Sequence, residues 1–170
     1  MRRLAAVLVL VFVAACGRSS YQIDAAAPQR PTYSPNEKLR VTLPPAGNQS
    51  EEGGRAISGR IVQVLQQTHA DVQLLPTNDL TAALADARTQ QAAFLVEPTV
   101  TKWKAGMAPP FTADQLAVRL DLVNVASGTV VSSVTFETAS SLFAASDTPL
   151  QTLLDAKFDE AVRALVGSAK

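Results

Sequence analysis

The sequence contains few of the side chains that most catalytic and metal sites require. Its 170 residues include one cysteine, one histidine and one tryptophan, and aromatic residues account for 5% of the chain. A single cysteine excludes an intrachain disulfide, so the fold depends on its hydrophobic core. Basic and acidic residues are equal in number, 15 of each. This balance argues against a nucleic-acid partner, because phosphate recognition needs a basic face.

The one cysteine, Cys16, stands at the end of an uninterrupted apolar run. Arg2 and Arg3 precede twelve apolar residues, 4–15, which is the layout of a secretory signal peptide. As a helix this run would reach ~18 Å, short of the ~30 Å hydrocarbon core of a bilayer. Residues 1–15 are therefore predicted to be a cleaved leader rather than a spanning helix.

The segment Val13-Ala14-Ala15-Cys16 resembles the lipobox of bacterial lipoprotein precursors. The resemblance implies that the Cys16 thiol receives diacylglycerol, that the leader is cut before it, and that the new amine is acylated, often with palmitate. Each buried methylene contributes ~0.8 kcal/mol, so two or three acyl chains hold a protein on a membrane. Gly17 stands where an aspartate would favour the inner membrane, which predicts the outer membrane, with the protein facing the periplasm. The alternative is an ordinary leader with a cysteine that occurs by chance.

Residues 16–37 are predicted to be the lipidated cysteine followed by an extended tether. Pro28, Pro31 and Pro35 interrupt this stretch, and it shows neither a helical nor a strand period, as is usual in extended linkers. The alternative is that part of it packs along the domain. The globular domain is predicted over residues 38–167, a length sufficient for one hydrophobic core.

Apolar periodicity predicts that three strands first alternate with two helices. The segment KLRVTLP alternates as a strand does, and GGRAISGRIVQVLQQT has helical spacing. A short strand follows in DVQLLP, and the next helix is predicted to begin with Thr77 or Asn78 as N-cap. The segment AAFLVEPTVTKW is apolar on both faces. It is therefore predicted to be a central strand that bends, bulges or reaches an edge at Pro98.

The second half of the domain is predicted to be a β-hairpin and a closing helix. The segments QLAVRLDLV and TVVSSVTFE flank a turn at Ser127-Gly128. Thr148 and Pro149 are predicted to start one continuous helix whose apolar stripe ends before Gly167. The order β-α-β-α-β-β-β-α predicts an α/β fold, a single domain with helices packed on a mixed sheet. Crossovers make its first three strands parallel, and the hairpin is antiparallel.

The leader with its lipobox and the segments AAFLVEPTVTKW, LAVRLDLVNVASGTVVSSVTFETAS and TPLQTLL together resemble the domain-of-unknown-function 4823 family of short bacterial lipoproteins. The resemblance covers residues 38–166 and implies a strand that ends in a tryptophan, matched by Trp103, then a hairpin and a closing helix. Lys104 stands where that family commonly has an acidic residue. The motifs of the family include no catalytic signature, which implies a protein that is not an enzyme.

No arrangement of residues indicates catalysis or a cofactor. His69 has no nucleophile at readable spacing and stands near a helix end, where histidines interact with the terminal carbonyls. Asp121 and Glu137 are able to face each other across the hairpin, but outward strand residues are normally just solvated. The glycine-bearing loop before the first helix lacks the phosphate-binding patterns. No enzymatic activity, no cofactor and no metal site are therefore predicted.

Trp103 and the loop after it are predicted to be the interaction surface. Met107 and Phe111 lie near a glycine and two prolines, a poor setting for burial and a good one for recognition. The alternative is that Trp103 folds back to cap the sheet. The leading hypothesis is a lipid-anchored, non-catalytic periplasmic domain with an assembly or accessory role, which binds another envelope protein or its own copies. The second hypothesis is a binding module for a small envelope ligand, such as a glycan or lipid fragment.

Overall fold

Six strands form one mixed sheet in the computed structural model, which describes residues 18–24, 34–47, 49–104, 114–140 and 150–167. The strands in chain order are β1 (Arg18–Ile23), β2 (Leu39–Val41), β3 (Val72–Leu74), β4 (Phe94–Lys104), β5 (Gln115–Asn124) and β6 (Thr129–Ala139). The helices are α1 (Glu51–Leu65), α2 (Leu80–Thr89), α3 (Leu150–Leu153) and α4 (Ala156–Val166).

The order of the strands in the sheet is β1-β6-β5-β4-β2-β3. Strand β2 runs parallel to β3 and β4, whereas β4, β5, β6 and β1 follow one another antiparallel. Helices α1 and α2 connect the parallel strands. The hairpin turns at Gly128, whose φ of 70° lies in the region that glycine adopts without strain. The predicted α/β class is confirmed: a mixed sheet with helices packed on it, in one domain.

The sheet begins earlier in the chain than the sequence analysis predicted. The segment Arg18–Ile23, assigned there to the tether, forms β1 and pairs antiparallel with β6. Tyr21 lies opposite Phe136 and packs against the core, which supplies the cross-strand contact that a short polar strand needs. Part of the predicted tether therefore packs along the domain, as the alternative interpretation had it. The predicted leader, Cys16 and residues 25–33 lie outside the described residues.

The main core lies between one face of the sheet and helices α1 and α4. Phe136 of β6 and Phe158 of α4 are fully buried. Their rings meet edge to face, with centroids 5.1 Å apart and planes at 79°, a favourable aromatic geometry. Arg60 of α1 joins the two helices because its Nε and Nη2 donate to the two carboxylate oxygens of Asp159, at 2.9 and 2.7 Å. The two helices that cover this face are therefore joined by a bidentate ion pair as well as by the core between them.

A smaller core lies on the opposite face of the sheet, under α2. Its buried members are Leu75, Ala83, Ala87, Ala92, Leu95, Val123 and Val125. The N-cap of α2 is Asp79, whose Oδ1 accepts hydrogen bonds from the N–H groups of Thr81 and Ala82 at 2.7 and 3.1 Å. The prediction of Thr77 or Asn78 as N-cap is wrong by one or two residues. One carboxylate oxygen of Asp79 satisfies two backbone donors, whereas the Thr77 hydroxyl accepts from the Asp79 N–H.

The closing helix is divided where the sequence predicts one continuous helix. Asp155 separates α3 from α4 and is the N-cap of α4. Its Oδ1 accepts from the N–H groups of Lys157 and Phe158 at 2.8 and 3.2 Å, so the side chain competes with helical backbone bonding. The predicted start at residues 148–149 lies outside the described residues. Among the helices that the structure describes, none combines the length and the apolar character needed to cross a membrane.

Strand β4 continues beyond the end of β2. The pairing with β2 stops at Val96, whereas the pairing with β5 continues to Lys104. Pro98 lies in this extension, where a missing N–H removes no bond to β2. The register with β5 shifts between Val100 and Lys102. The prediction that the strand bulges or reaches an edge near Pro98 is confirmed.

Candidate functional site

One half of the sheet has a polar face that no described helix covers. It belongs to β1, β6, β5 and β4, on the side opposite the α1–α4 core, and it begins where the smaller core under α2 ends. Alternate residues of each strand point to this side. The register brings together Arg119 and Asp121 of β5, Ser133 of β6 and Glu97 of β4. This surface is called the open face below.

Three side chains at the centre of the open face bind one another. The Nε of Arg119 donates to Oδ1 and Oδ2 of Asp121 at 3.0 and 2.9 Å, and its Nη2 donates to Oγ of Ser133 at 3.1 Å. The Ser133 hydroxyl in turn donates to Oδ1 of Asp121. The hydroxyl is therefore held by a carboxylate and a guanidinium, and no described imidazole lies within reach to activate it as a nucleophile.

Glu97 adds a second carboxylate beside this group. It is the register partner of Asp121 across β4 and β5. Its pKa is raised, first by burial and then by the charge of Asp121, as expected for two neighbouring carboxylates of which one is partly desolvated. From the sequence, Glu137 is the candidate partner of Asp121 across the hairpin. The register instead places Ser133 and Glu97 opposite Asp121, and it places Glu137 opposite Ala117.

His69 lies away from the open face, at the end of α1 on the other side of the sheet. Its side chain is buried, its Nδ1 is 2.9 Å from Oγ1 of Thr68, and its backbone N–H donates to the carbonyl of Leu65. Its Nε2 has no hydrogen-bond partner among the described residues. An enclosed imidazole cannot reach a substrate on the open face. In the part of the chain that the structure describes, no three His, Cys, Asp or Glu side chains gather as metal ligands would.

Arg40 of β2 is a buried charge with a structural role. Its side chain is 3% exposed, and its Nη1 donates to Oδ1 of Asp71 at 2.9 Å and to the carbonyl of Leu39 at 2.8 Å. Its Nε donates to Oε1 of Gln90 at 2.5 Å. Because these donors are occupied within the fold, Arg40 fastens β2 to the turns beside it and does not present a charge to a ligand.

Trp103 lies on the helix side of the sheet, not on the open face. It is the register partner of the buried Leu116, and its half-buried side chain packs against the main core. A methyl group added to Gly53, in the first turn of α1, would lie 3.3 Å from Cη2 of the tryptophan ring. The ring thus covers the core beside α1, which is the position that the alternative interpretation describes. Met107 and Phe111 lie outside the described residues, so the interaction surface assigned to these three residues stays a prediction.

The open face is basic at the end where β1 begins. Arg18, Lys102 and Lys104 are exposed there, and the register places them in two neighbouring rows of the sheet. Three strand spacings separate Arg18 from Lys104, or ~14 Å between their backbones. Between them is a shallow depression of about 260 Å³, lined by Arg18, Lys102, Glu137 and two alanines among others. Arg18, Lys102 and Lys104 are called the basic end.

The sequence points to Asp121 but to neither its partners Arg119, Ser133 and Glu97 nor the basic end. Arg18 was assigned to a tether, and more than 80 residues separate it from Lys102 and Lys104. A signal was available in the alternation of Tyr21 and Ile23 with polar neighbours, which is the pattern of a strand with one apolar side. The pairing partner of that strand, which sets the location of Arg18, follows from tertiary structure alone.

No family model matches the chain, and no curated protein matches it by sequence, so membership of the 4823 family stays a prediction. The chain is similar in structure to PelC from Paraburkholderia phytofirmans, solved as a dodecamer, with a TM-score of 0.64, 19% identity, and coverage of 84% of this chain and 95% of that one. It is more distantly similar to a lipoprotein from Neisseria meningitidis, with a TM-score of 0.46, 10% identity, and coverage of 72% and 96%. A Xanthomonas campestris protein of the domain-of-unknown-function 330 family also has a TM-score of 0.46, at 16% identity and coverage of 82% and 83%. All three identities are below 25%, so the similarity to PelC, which has the highest TM-score of these three, shows a shared fold and nothing more.

Proposed function

We propose that the protein is a non-catalytic lipoprotein of the bacterial envelope, anchored through Cys16, that acts by assembling with its own copies. The leader and its lipobox-like end support the anchor, and the interlocked side chains of the open face support the absence of catalysis. The PelC structure that shares this fold is a dodecamer, which supports self-association. The outer membrane, facing the periplasm, remains the proposed location because Gly17 follows the cysteine.

The observation that carries the proposal is that both edges of the sheet are open among the described strands. Strands β1 and β3 lie at opposite edges, and neither has a second pairing partner among the described strands. Each exposes one large aliphatic side chain: Ile23 of β1 is 38% exposed, and Leu74 of β3 is 39% exposed. An open edge is a template for pairing with another chain. Contact between the β1 edge of one copy and the β3 edge of the next is heterologous, and such contacts close into rings when the rotation allows it.

The experiment uses the chain from residue 17 onward, without acyl groups, and measures its mass by light scattering and native mass spectrometry. The wild-type protein is expected to form oligomers whose population rises with concentration. Ile23→Lys and Leu74→Lys should each lower the mass, because a lysine on an edge opposes pairing. Val130→Lys is the matched control, since Val130 is 42% exposed but belongs to β6, outside both edge strands and beyond the residues that pair with β1.

Mixing the two edge variants tests whether the contact is heterologous. Ile23→Lys retains an intact β3 edge and Leu74→Lys retains an intact β1 edge, so the mixture should give a one-to-one dimer that neither variant forms alone. A wild-type chain that stays monomeric at every concentration would refute the proposal. Equal dissociation by Val130→Lys would refute the assignment to the edges.

A further inference from the structure

The first described strand begins very close to the predicted anchor. Only Gly17 stands between Cys16 and Arg18, the first residue of β1. An extended chain advances at most ~3.6 Å per residue, so the start of β1 lies within ~7 Å of the Cys16 backbone. The headgroup layer of a bilayer is itself ~5–7 Å thick on each side. A domain anchored at Cys16 therefore has its sheet end at the lipid headgroups, and the predicted stalk of some twenty residues does not separate them.

The side chains at this end have the charge that a headgroup layer attracts. Arg18, Lys102 and Lys104 of the basic end are all exposed and lie on the open face, with Glu137 as an acidic neighbour. Glu51 and Glu52 lie at the same end but on the helix side, where Glu51 forms an ion pair with Arg55, and Asp114, directly before β5, is buried. The open face at this end is thus net positive. A cluster of basic side chains beside a membrane anchor binds anionic lipid surfaces electrostatically.

We propose that the basic end binds the phosphates of anionic membrane lipids, so that the domain lies directly on the bilayer with this end of the open face against it. The inference rests on the anchor at Cys16 that is part of the proposed function. It does not need self-association. The depression between Arg18 and Lys102 is a place for one phosphate to be contacted by two cations, while the small alanine side chains beside it leave room for the headgroup.

The test supplies the anchor chemically. The chain from Cys16 onward, whose one thiol is Cys16, is coupled to a maleimide lipid in vesicles of phosphatidylcholine alone or mixed with phosphatidylglycerol. Acetylation of individual lysines is then followed by mass spectrometry. Lys102 and Lys104 should be acetylated at least ~5-fold more slowly on the anionic vesicles, since one basic side chain near such a surface contributes about that factor. Lys38, at the other end of the sheet, should react equally on both, and high salt should abolish the difference.

Two variants assign the effect to the basic end. Arg18→Gln should reduce the protection of Lys102 and Lys104 by ~5-fold. Arg163→Gln removes the same charge from the far end of α4, where its side chain contacts Gln67, and should leave the protection unchanged. Equal acetylation rates on the two vesicle types, or equal slowing at Lys38, would overturn the inference. Because the anchor is attached chemically, a failure here is distinct from a failure of lipidation or of assembly.

Discussion

Asp155 fastens strand β1 to the domain, and its replacement by alanine tests how firmly the anchored end is held. Its Oδ1 caps α4, while its Oδ2 accepts a hydrogen bond from Oγ of Ser19 at 2.6 Å. Ser19 Oγ also lies 2.8 Å from Oγ1 of Thr138 on β6. One carboxylate therefore joins the N-terminus of a helix to the edge strand that follows Cys16.

The expected loss in the free energy of unfolding follows from these two kinds of bond. Loss of an N-cap costs about 1 kcal/mol, and loss of a hydrogen bond to a charged group about 1.5 kcal/mol, so Asp155→Ala should lower the free energy of unfolding by about 2.5 kcal/mol. Ser19→Ala removes this second bond and also the contact with Thr138, and it should cost about 2.5 kcal/mol. The double variant should cost about 3.5 kcal/mol, because the bond between the two side chains is lost only once, which gives a coupling free energy of about 1.5 kcal/mol.

Urea denaturation of the four proteins measures the cycle, and amide hydrogen exchange shows where the loss acts. The N–H groups of β1 should exchange faster in both single variants, whereas those of β4 and β5 should retain their protection in Ser19→Ala. Additive effects of the two substitutions, or unchanged exchange in β1, would refute the reasoning that Asp155 holds this strand.

Three further substitutions test other parts of the structure. The pKa of Glu97 is raised in the folded protein, so ionisation of Glu97 destabilises the fold. At pH values above that pKa, Glu97→Gln should therefore raise the urea midpoint. This gain should vanish as the pH falls from the folded-state pKa to the lower unfolded-state pKa. An unchanged difference at all pH values would contradict this. Phe158→Ala should cost ~3–5 kcal/mol in urea denaturation, because the fully buried ring packs on Phe136; a loss below ~1 kcal/mol would show a poorly packed core. Gln91 has a φ of 59°, so Gln91→Gly should raise the thermal midpoint through relief of ~1 kcal/mol of strain, whereas a lower midpoint would contradict the conformation.

The parts of the fold that the sequence predicts are those where a local pattern and the tertiary packing agree. The buried apolar residues of helix α1 recur at helical spacing and all face the main core. In the hairpin of β5 and β6, apolar and polar residues alternate on both sides of a glycine turn. The central position of β4 follows from a segment that is apolar on both faces, because it has a core on each side. In these elements the side-chain pattern alone determines which face is buried.

The parts that the sequence does not predict depend on distant partners or on one competing side chain. Strand β1 is polar and short, and its conformation depends on pairing with β6 far along the chain. The break before α4 depends on the Asp155 side chain. The apolar residues Leu153, Leu154 and Phe158 continue the helical spacing across this position, so periodicity gives no sign of the break. The central cluster of the open face required the register of β4, β5 and β6, which periodicity does not specify.

The pairing of the first strand with the last one has a consequence for the order in which the chain folds. Ser19 and Thr138, which meet across β1 and β6, are 119 positions apart. A contact of such high separation forms slowly, because closing the intervening loop costs conformational entropy before the contact is gained. During N-to-C synthesis β1 therefore cannot pair until β6 has been made. Until that pairing forms, one edge of β6 is exposed to other unfolded chains. Any factor that shields nascent chains from aggregation would act on this protein chiefly in that interval.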